Sequence, residues 1–168
     1  ARNGYPNLEI IVVDDASTDA GDEDYPELDN LRLFRLRTNT GPCGARNVAI
    51  GAATGEYVLL LDSDSVLSRR SLAEAVRFMQ ENPSVGILAA RVTNYFTRKP
   101  DSWIHARPVQ NSERLTFDTY SFAGCGALIR ASALREVGGF WKDLRIYNED
   151  LDLSLRMHRL GYRIVYSP

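Results

Sequence analysis

Three short acidic stretches carry residue types that can do chemistry. In "LLLDSDS", residues 59–65, an apolar run ends in Asp62 and Asp64, one residue apart. Carboxylates that close repel unless something cationic lies between them. Either they stand in water on a turn, which Asp and Ser favour, or they hold a hard divalent cation such as Mg²⁺ or Mn²⁺ with oxygen ligands, leaving positions for water or phosphate. In "VVDDASTD", Asp14 and Asp15 follow a second apolar run. These too have two readings. One is a capped turn, with Ser17 or Thr18 opening a helix. The other is a carboxylate that accepts hydrogen bonds from a base edge or a ribose hydroxyl. In "YNEDLD", Glu149, Asp150 and Asp152 crowd the start of a helical pattern, where the helix dipole favours acids. The dipole helps keep Asp150 ionised, as a general base requires, while Glu149 opposes it as a like charge.

A fourth stretch, "NTGPCGARN" at residues 39–47, places glycines at a turn into a helix. The free N–H groups of such a start can receive an anion. The stretch lacks the lysine and the spacing of a P-loop. Arg46, early in that helix, is either a nucleotide contact or a surface arginine.

These groups need a scaffold. The 168 residues suit one domain with a real core, and 44% hydrophobic with 25% charged residues is an ordinary globular balance. The net charge of −2 supplies no basic surface for nucleic acid. Cys43 and Cys125 have neither metal-site spacing nor the density of a disulfide framework, which fits a reducing compartment. No run approaches the roughly 18 apolar residues of a membrane span, and the opening residues do not read as a signal peptide. The chain opens on Ala1 and loop-like residues, as a piece of a longer protein would.

Apolar runs of strand length cover 8–13, 31–36, 56–61, 85–90, 124–129 and 162–166. Helical patterns cover 45–53, 71–81, 132–137 and 149–160. Ser71 with Glu74 predicts a capping box, and Gly138-Gly139 predicts a turn. Residues 91–121, with Trp103 and His105, show no clean period and read as a long excursion of the kind that often serves function. Alternating strands and helices, with strands apolar throughout, predict a mostly parallel central sheet covered by helices on both faces. Ligands in such sheets bind at strand carboxyl ends, where both acidic pairs stand.

Four blocks, "YPNLEIIVVDDASTD", "TGPCGARNVAIGAATGEYVLLLDSDS", "GCGALIRASALREVGGF" and "NEDLDLSLRMHRLGYRIVYSP", together resemble family 2 glycosyltransferases of the GT-A fold, from Tyr5 to Pro168. The resemblance implies inverting transfer of a sugar from a nucleotide-sugar donor to a saccharide, lipid-linked or protein acceptor, assisted by Mg²⁺ or Mn²⁺. It divides the domain into a nucleotide-sugar-binding half, 1–90, and an acceptor-side half, 91–168. It implies that Asp15 binds the base with Arg46 near it, and that Asp62 lies on the ribose and metal side of the donor. Asp64 would hold the metal on the pyrophosphate. Asp150 would be the base, with Glu149 beside it on the acceptor side. The cytoplasm, at the inner face of a membrane, is the implied location.

Two departures stand out. Nothing in the chain matches the "VSVIIPTYN"-like strand with which such domains open, so the sheet is expected to lack its first strand. The Q-x-x-R-W block of processive synthases is replaced by "LSLRMHRLGYR", closer to non-processive, rhamnosyl-type transferases. Two other readings remain. A haloacid-dehalogenase-type phosphatase would use Asp62 as nucleophile but leaves the other blocks unexplained. A nucleotide-binding module without turnover would use the same pocket.

Overall fold

The structure is a computed structural model that describes residues 5–19, 25–68, 70–99, 115–144 and 148–168. Trp103 and His105, in the excursion, lie outside them. Strand β1 (Ile10–Asp14) pairs in parallel with β2 (Leu31–Arg35), Ile10 opposite Leu31 and Asp14 opposite Arg35. Helix α1 (Gly41–Ala52) begins four residues earlier than its alanines suggest. Pro42 fits the first turn because its missing N–H would be unsatisfied there anyway. Next come β3 (Tyr57–Leu60), α2 (Ser71–Glu81) and β4 (Val85–Ala90). Inside the stretch read as an excursion lies β5 (Phe117–Thr119), too short for its period to show; then follow β6 (Ala127–Arg130), α3 (Ala131–Glu136), a single 3₁₀ turn at Lys142–Leu144, α4 (Glu149–Arg159) and β7 (Arg163–Ser167).

The last five strands form a sheet in the order β3-β6-β4-β7-β5. Its pairings correct the expected parallel sheet to a mixed one. Only β4 and β7 run parallel, while β6 lies antiparallel between β3 and β4, and β5 antiparallel on β7. The β3-α2-β4 crossover is the parallel unit the pattern predicts, but it leaves a one-strand gap. After the excursion β6 enters that gap from the other end. Strand direction leaves no trace in an all-apolar run, so the pattern could not reveal it.

Side-chain alternation splits the core into two layers. Ile87, Ala89, Ala127, Ile129 and Ile164 pack with Cys43 and Ile50 of α1, Leu134 of α3 and Leu153 and Met157 of α4. Leu88, Leu128 and Val165 face the other way, onto Leu72, Val76 and Met79 of α2. Arg130 closes that second layer, donating from Nη2 to the Met79 carbonyl at 2.8 Å near the C-terminus of α2. The capping box at Ser71 does not form: Arg70 occupies the N-cap position, and the Ser71 hydroxyl donates to the Ser68 carbonyl instead. Gly138 and Gly139 do make a turn, both with positive φ.

Among the described residues no strand stands between β1 and β3. Ile10–Val13 of β1 and Tyr57–Leu60 of β3 instead line one cavity of about 1430 Å³, floored by α1 and α2, whose lining reaches Arg46 and Asp62. No helix among the described residues is long and apolar enough to cross a membrane. Both cysteines are free and buried.

Candidate active site

The carboxyl ends of β1 and β3, the start of α1 and the start of α4 bring most of the predicted site residues together. Asp15 follows β1 directly. Its Oδ1 accepts from the Thr40 backbone N–H (2.7 Å) and hydroxyl (2.8 Å), and its Oδ2 from the Gly41 N–H (2.7 Å). The anion received by the α1 N-terminus is therefore the chain's own Asp15. Asp14 accepts from the Ser17 N–H at 2.9 Å, which holds its carboxyl below the usual range. Residues 18 and 19 are bends, and residues 20–24, where a helix capped by Ser17 or Thr18 would run, lie outside the described residues.

Asp62 and Asp64 lie on an exposed turn after β3, closed by the Ser65 N–H on the Asp62 carbonyl (3.0 Å). The Asp62 side chain is 51% exposed, and its Oδ1 stands 3.7 Å from Arg46 Nη2. Beneath this turn the Ser65 hydroxyl lies 3.0 Å from the buried Cys125 thiol. The pair suits Mg²⁺ or Mn²⁺: two hard oxygen donors with open space around them are what a cation needs when water and phosphate complete its shell. Among the described residues no cluster of three acidic, histidine or cysteine ligands exists that would enclose a cation without such help.

Asp150 sits in the first turn of α4. Its Oδ2 accepts from the Gly124 N–H at 2.8 Å, while its Oδ1 is buried without a hydrogen-bond partner and lies 3.9 Å from Arg46 Nη1. Burial pushes its pKa up to about 6, aided by the Glu149 charge and opposed by Arg46 and the Gly124 N–H. Glu149, itself buried, takes Arg46 Nη1 at 3.2 Å. Asp152, the third acid of the turn, is bound to Arg156. Arg156 Nη1 in turn donates to the Val137 and Gly139 carbonyls, both at 2.7 Å, and so ties α4 to the two-glycine turn.

Sequence reasoning missed Gly124, Asn47 and Phe140. The Asn47 amide clamps the Phe140 backbone from both sides, donating to its carbonyl (2.7 Å) and accepting from its N–H (2.8 Å). The Arg46 guanidinium lies over the Phe140 ring, 5.3 Å from its centroid. All three residues belong to the two blocks quoted above that contain "GARN" and "GCGALIR…VGGF". Asn47 and Phe140 stand 93 positions apart, and Gly124 and Asp150 26, so no local pattern carried either partnership.

The model of the family described as "Glycosyl transferase family 2" matches residues 1–138. A poly-β-1,6-N-acetyl-D-glucosamine synthase of Staphylococcus epidermidis is 29% identical over 98% of the chain and 42% of its own length. The poly(ribitol-phosphate) β-N-acetylglucosaminyltransferase TarS of Staphylococcus aureus is 40% identical over 50% of the chain and 16% of its length. Crystallised TarS residues 1–349 in complex with UDP superpose with a TM-score of 0.74 at 26% identity, over 99% of this chain and 51% of that one. A mannosyltransferase from Pyrobaculum calidifontis in complex with GDP-Man and Mn²⁺ gives 0.72 at 28% identity, over 98% of this chain and 47% of that one. The chain spans less than half the length of the synthase that it matches almost throughout.

Proposed function

The chain belongs to glycosyl transferase family 2, and from that membership we propose that it is the GT-A domain of an enzyme that moves a sugar from a nucleotide-sugar donor to an acceptor hydroxyl with inversion. The observation that carries the reading is Asp150: a carboxylate anchored on one oxygen, with a pKa pushed up to about 6, across Arg46 from the exposed Asp62. A general base acts best when its pKa lies near the working pH. The donor would bind to residues 1–90 and the acceptor to residues 91–168. Asp62 faces the ribose and phosphate side of the donor. Asp64 and Asp62 would hold Mg²⁺ or Mn²⁺, which when bound supplies positive charge where the leaving diphosphate gains negative charge. Asp150 takes the acceptor proton as the hydroxyl attacks the far face of the sugar. One displacement inverts the anomeric centre and needs no enzyme nucleophile, so neither buried cysteine has a covalent role.

Asp15 would lie near the base, with three of its four lone-pair directions already receiving N–H or O–H groups of the chain. Its service to the nucleotide is to hold the α1 start and one remaining acceptor position. The acceptor is a saccharide, lipid-linked or protein hydroxyl, and the setting is the cytoplasmic side, at the membrane face. Two relatives carry N-acetylglucosamine in their names, which makes UDP-N-acetylglucosamine the first donor to try. The test is a screen of nucleotide sugars on the full-length protein with Mn²⁺, Mg²⁺ and EDTA. Metal-dependent transfer or slow donor hydrolysis with β-configured product from an α-linked donor is expected. Retention of configuration, or nucleotide binding with no turnover of any donor, would overturn the reading.

A further inference from the structure

Arg46 occupies a position its expected role does not explain. The side chain is only 21% exposed and its fork is turned mainly toward α4, with Nη1 on Glu149 at 3.2 Å and 3.9 Å from Asp150. On the donor side its ion-pair partner among the described residues is Asp62, at 3.7 Å. We propose that Arg46 is a positioning residue for the base Asp150, locking the start of α4 against α1 and β3, and not a ligand of the nucleotide. This rests on the reading of Asp150 as the base.

Four features of the surroundings look built for that task. The Phe140 ring supports the flat guanidinium, and Asn47, the next residue of α1, fixes Phe140 through two hydrogen bonds. Gly139 leaves room for the clamp, since a Cβ there would stand 2.6 Å from Asn47 Oδ1. Gly124 leaves room for the pair itself, since a Cβ would stand 2.8 Å from Arg46 Nη2 and 3.1 Å from Asp150 Oδ1, while its N–H holds the other carboxyl oxygen. Finally, Asp150 Oδ1 is buried with no hydrogen bond, so the nearby guanidinium is what offsets its charge. Glu149 lies beside it with the same sign. Without Arg46 the two carboxylates would repel, and the loose end of α4 could carry Asp150 out of reach of an acceptor hydroxyl, where small misplacements lower rates steeply. A lysine would keep a charge but not the planar fork that serves Glu149 and Asp62 at once.

A split of kinetic constants in the full-length protein tests the assignment. For wild type, Arg46→Gln, Arg46→Lys and Gly124→Ala, kcat is measured with the donor the wild type turns over, and the nucleoside diphosphate Kd by titration. The expected result is a kcat lower by about 10- to 100-fold in Arg46→Gln, the size of one lost charge-assisted contact, with Kd within about twofold. Arg46→Lys should recover part of that loss, and Gly124→Ala should lower kcat in the same direction at unchanged Kd. An unchanged Kd also certifies that each variant is folded. A Kd raised tenfold or more with kcat preserved would make Arg46 a nucleotide ligand and overturn the proposal. If Arg46→Gln does not fold, Gly124→Ala decides alone by the same criterion. A wild type that binds nucleotide and transfers nothing refutes the transferase reading and this assignment with it, an outcome distinct from an active wild type whose variants fail in Kd.

Discussion

Asp14 and Asp15 close β1 much as Asp62 and Asp64 close β3, yet the two acidic pairs end in opposite circumstances. The first pair is absorbed by backbone: Ser17 donates to Asp14, and Thr40 and Gly41 donate to Asp15. The second pair stays exposed, and among the described residues its carboxylates take no backbone N–H, the Arg46 guanidinium standing 3.7 Å from Asp62. What separates them is the element that follows. The start of α1 returns to the end of β1 and brings unsatisfied N–H groups with it. The start of α2 lies seven residues past Asp64 and turns on Ser68 and Arg70 instead. A carboxylate at a strand end is open to a ligand only if no helix start of its own chain has claimed it. Asp150 is intermediate, with one oxygen held by Gly124 and the other facing Arg46.

The sharpest test of the open group is Asp150→Asn, which keeps the shape and removes the proton acceptor. Transfer should fall by about 10²–10⁴-fold, with nucleotide affinity unchanged. Stability should move the other way. The native pKa of about 6 lies above the ordinary aspartate value. Between roughly pH 4 and 6 the folded state therefore binds more protons than the unfolded state, and stability falls as pH rises through that window. Above it the ionised, part-buried carboxylate is a burden, which asparagine lacks. The melting temperature of the variant should exceed that of wild type at pH 7.5, and the gap should close toward pH 4. In the wild type, kcat should drop about tenfold per pH unit below 6. A variant that is destabilised at pH 7.5 and still transfers would reduce Asp150 to a helix-end acid.

Next in size is Asp64→Asn. The residue is exposed on a turn, and among the described residues its side chain makes no hydrogen bond or ion pair, so its melting curve should match wild type. If the pair holds a cation that bridges to phosphate, Mn²⁺ should tighten nucleoside diphosphate binding in wild type, and the variant should lose most of that gain. Titrations in Mn²⁺ and in EDTA measure it. Equal affinities in both for the wild type would place the second pair with the first, as structure alone.

How legible all this was differed from place to place. The apolar runs and helical periods located nearly every element, because period and burial are local properties, although the capping box expected at Ser71 did not form. The helix at 71–81 and the strand at 85–90 needed no revision. Strand direction was not legible, because β6 reads as apolar from either end. The acids of the site were legible by type, but not which of them the backbone would claim. That depends on Thr40 and Gly41 meeting Asp15 across 25 and 26 positions. The contact of Arg46 with Glu149 was not legible, since nothing local joins residues 103 positions apart.

The smallest expected effect bears on the first pair. Asp15→Ala removes three hydrogen bonds, two from the N–H groups at the α1 start and one from the Thr40 hydroxyl. Loss of an N-terminal cap lowers stability by about 0.5–2 kcal/mol, and a partly exposed site belongs in the lower half of that range because water replaces some of the bonds. Asp15→Asn should keep part of the effect, as its amide oxygen still accepts. Nucleoside diphosphate affinity should fall only a few-fold in either variant, since the carboxylate has a single acceptor direction left to offer a ligand. Urea unfolding and nucleotide titration on the same samples give both numbers. A loss of affinity of a hundredfold at unchanged stability would reverse the comparison: Asp15 would then leave Thr40 and Gly41 when nucleotide arrives, and the β1 pair would be as open as the β3 pair.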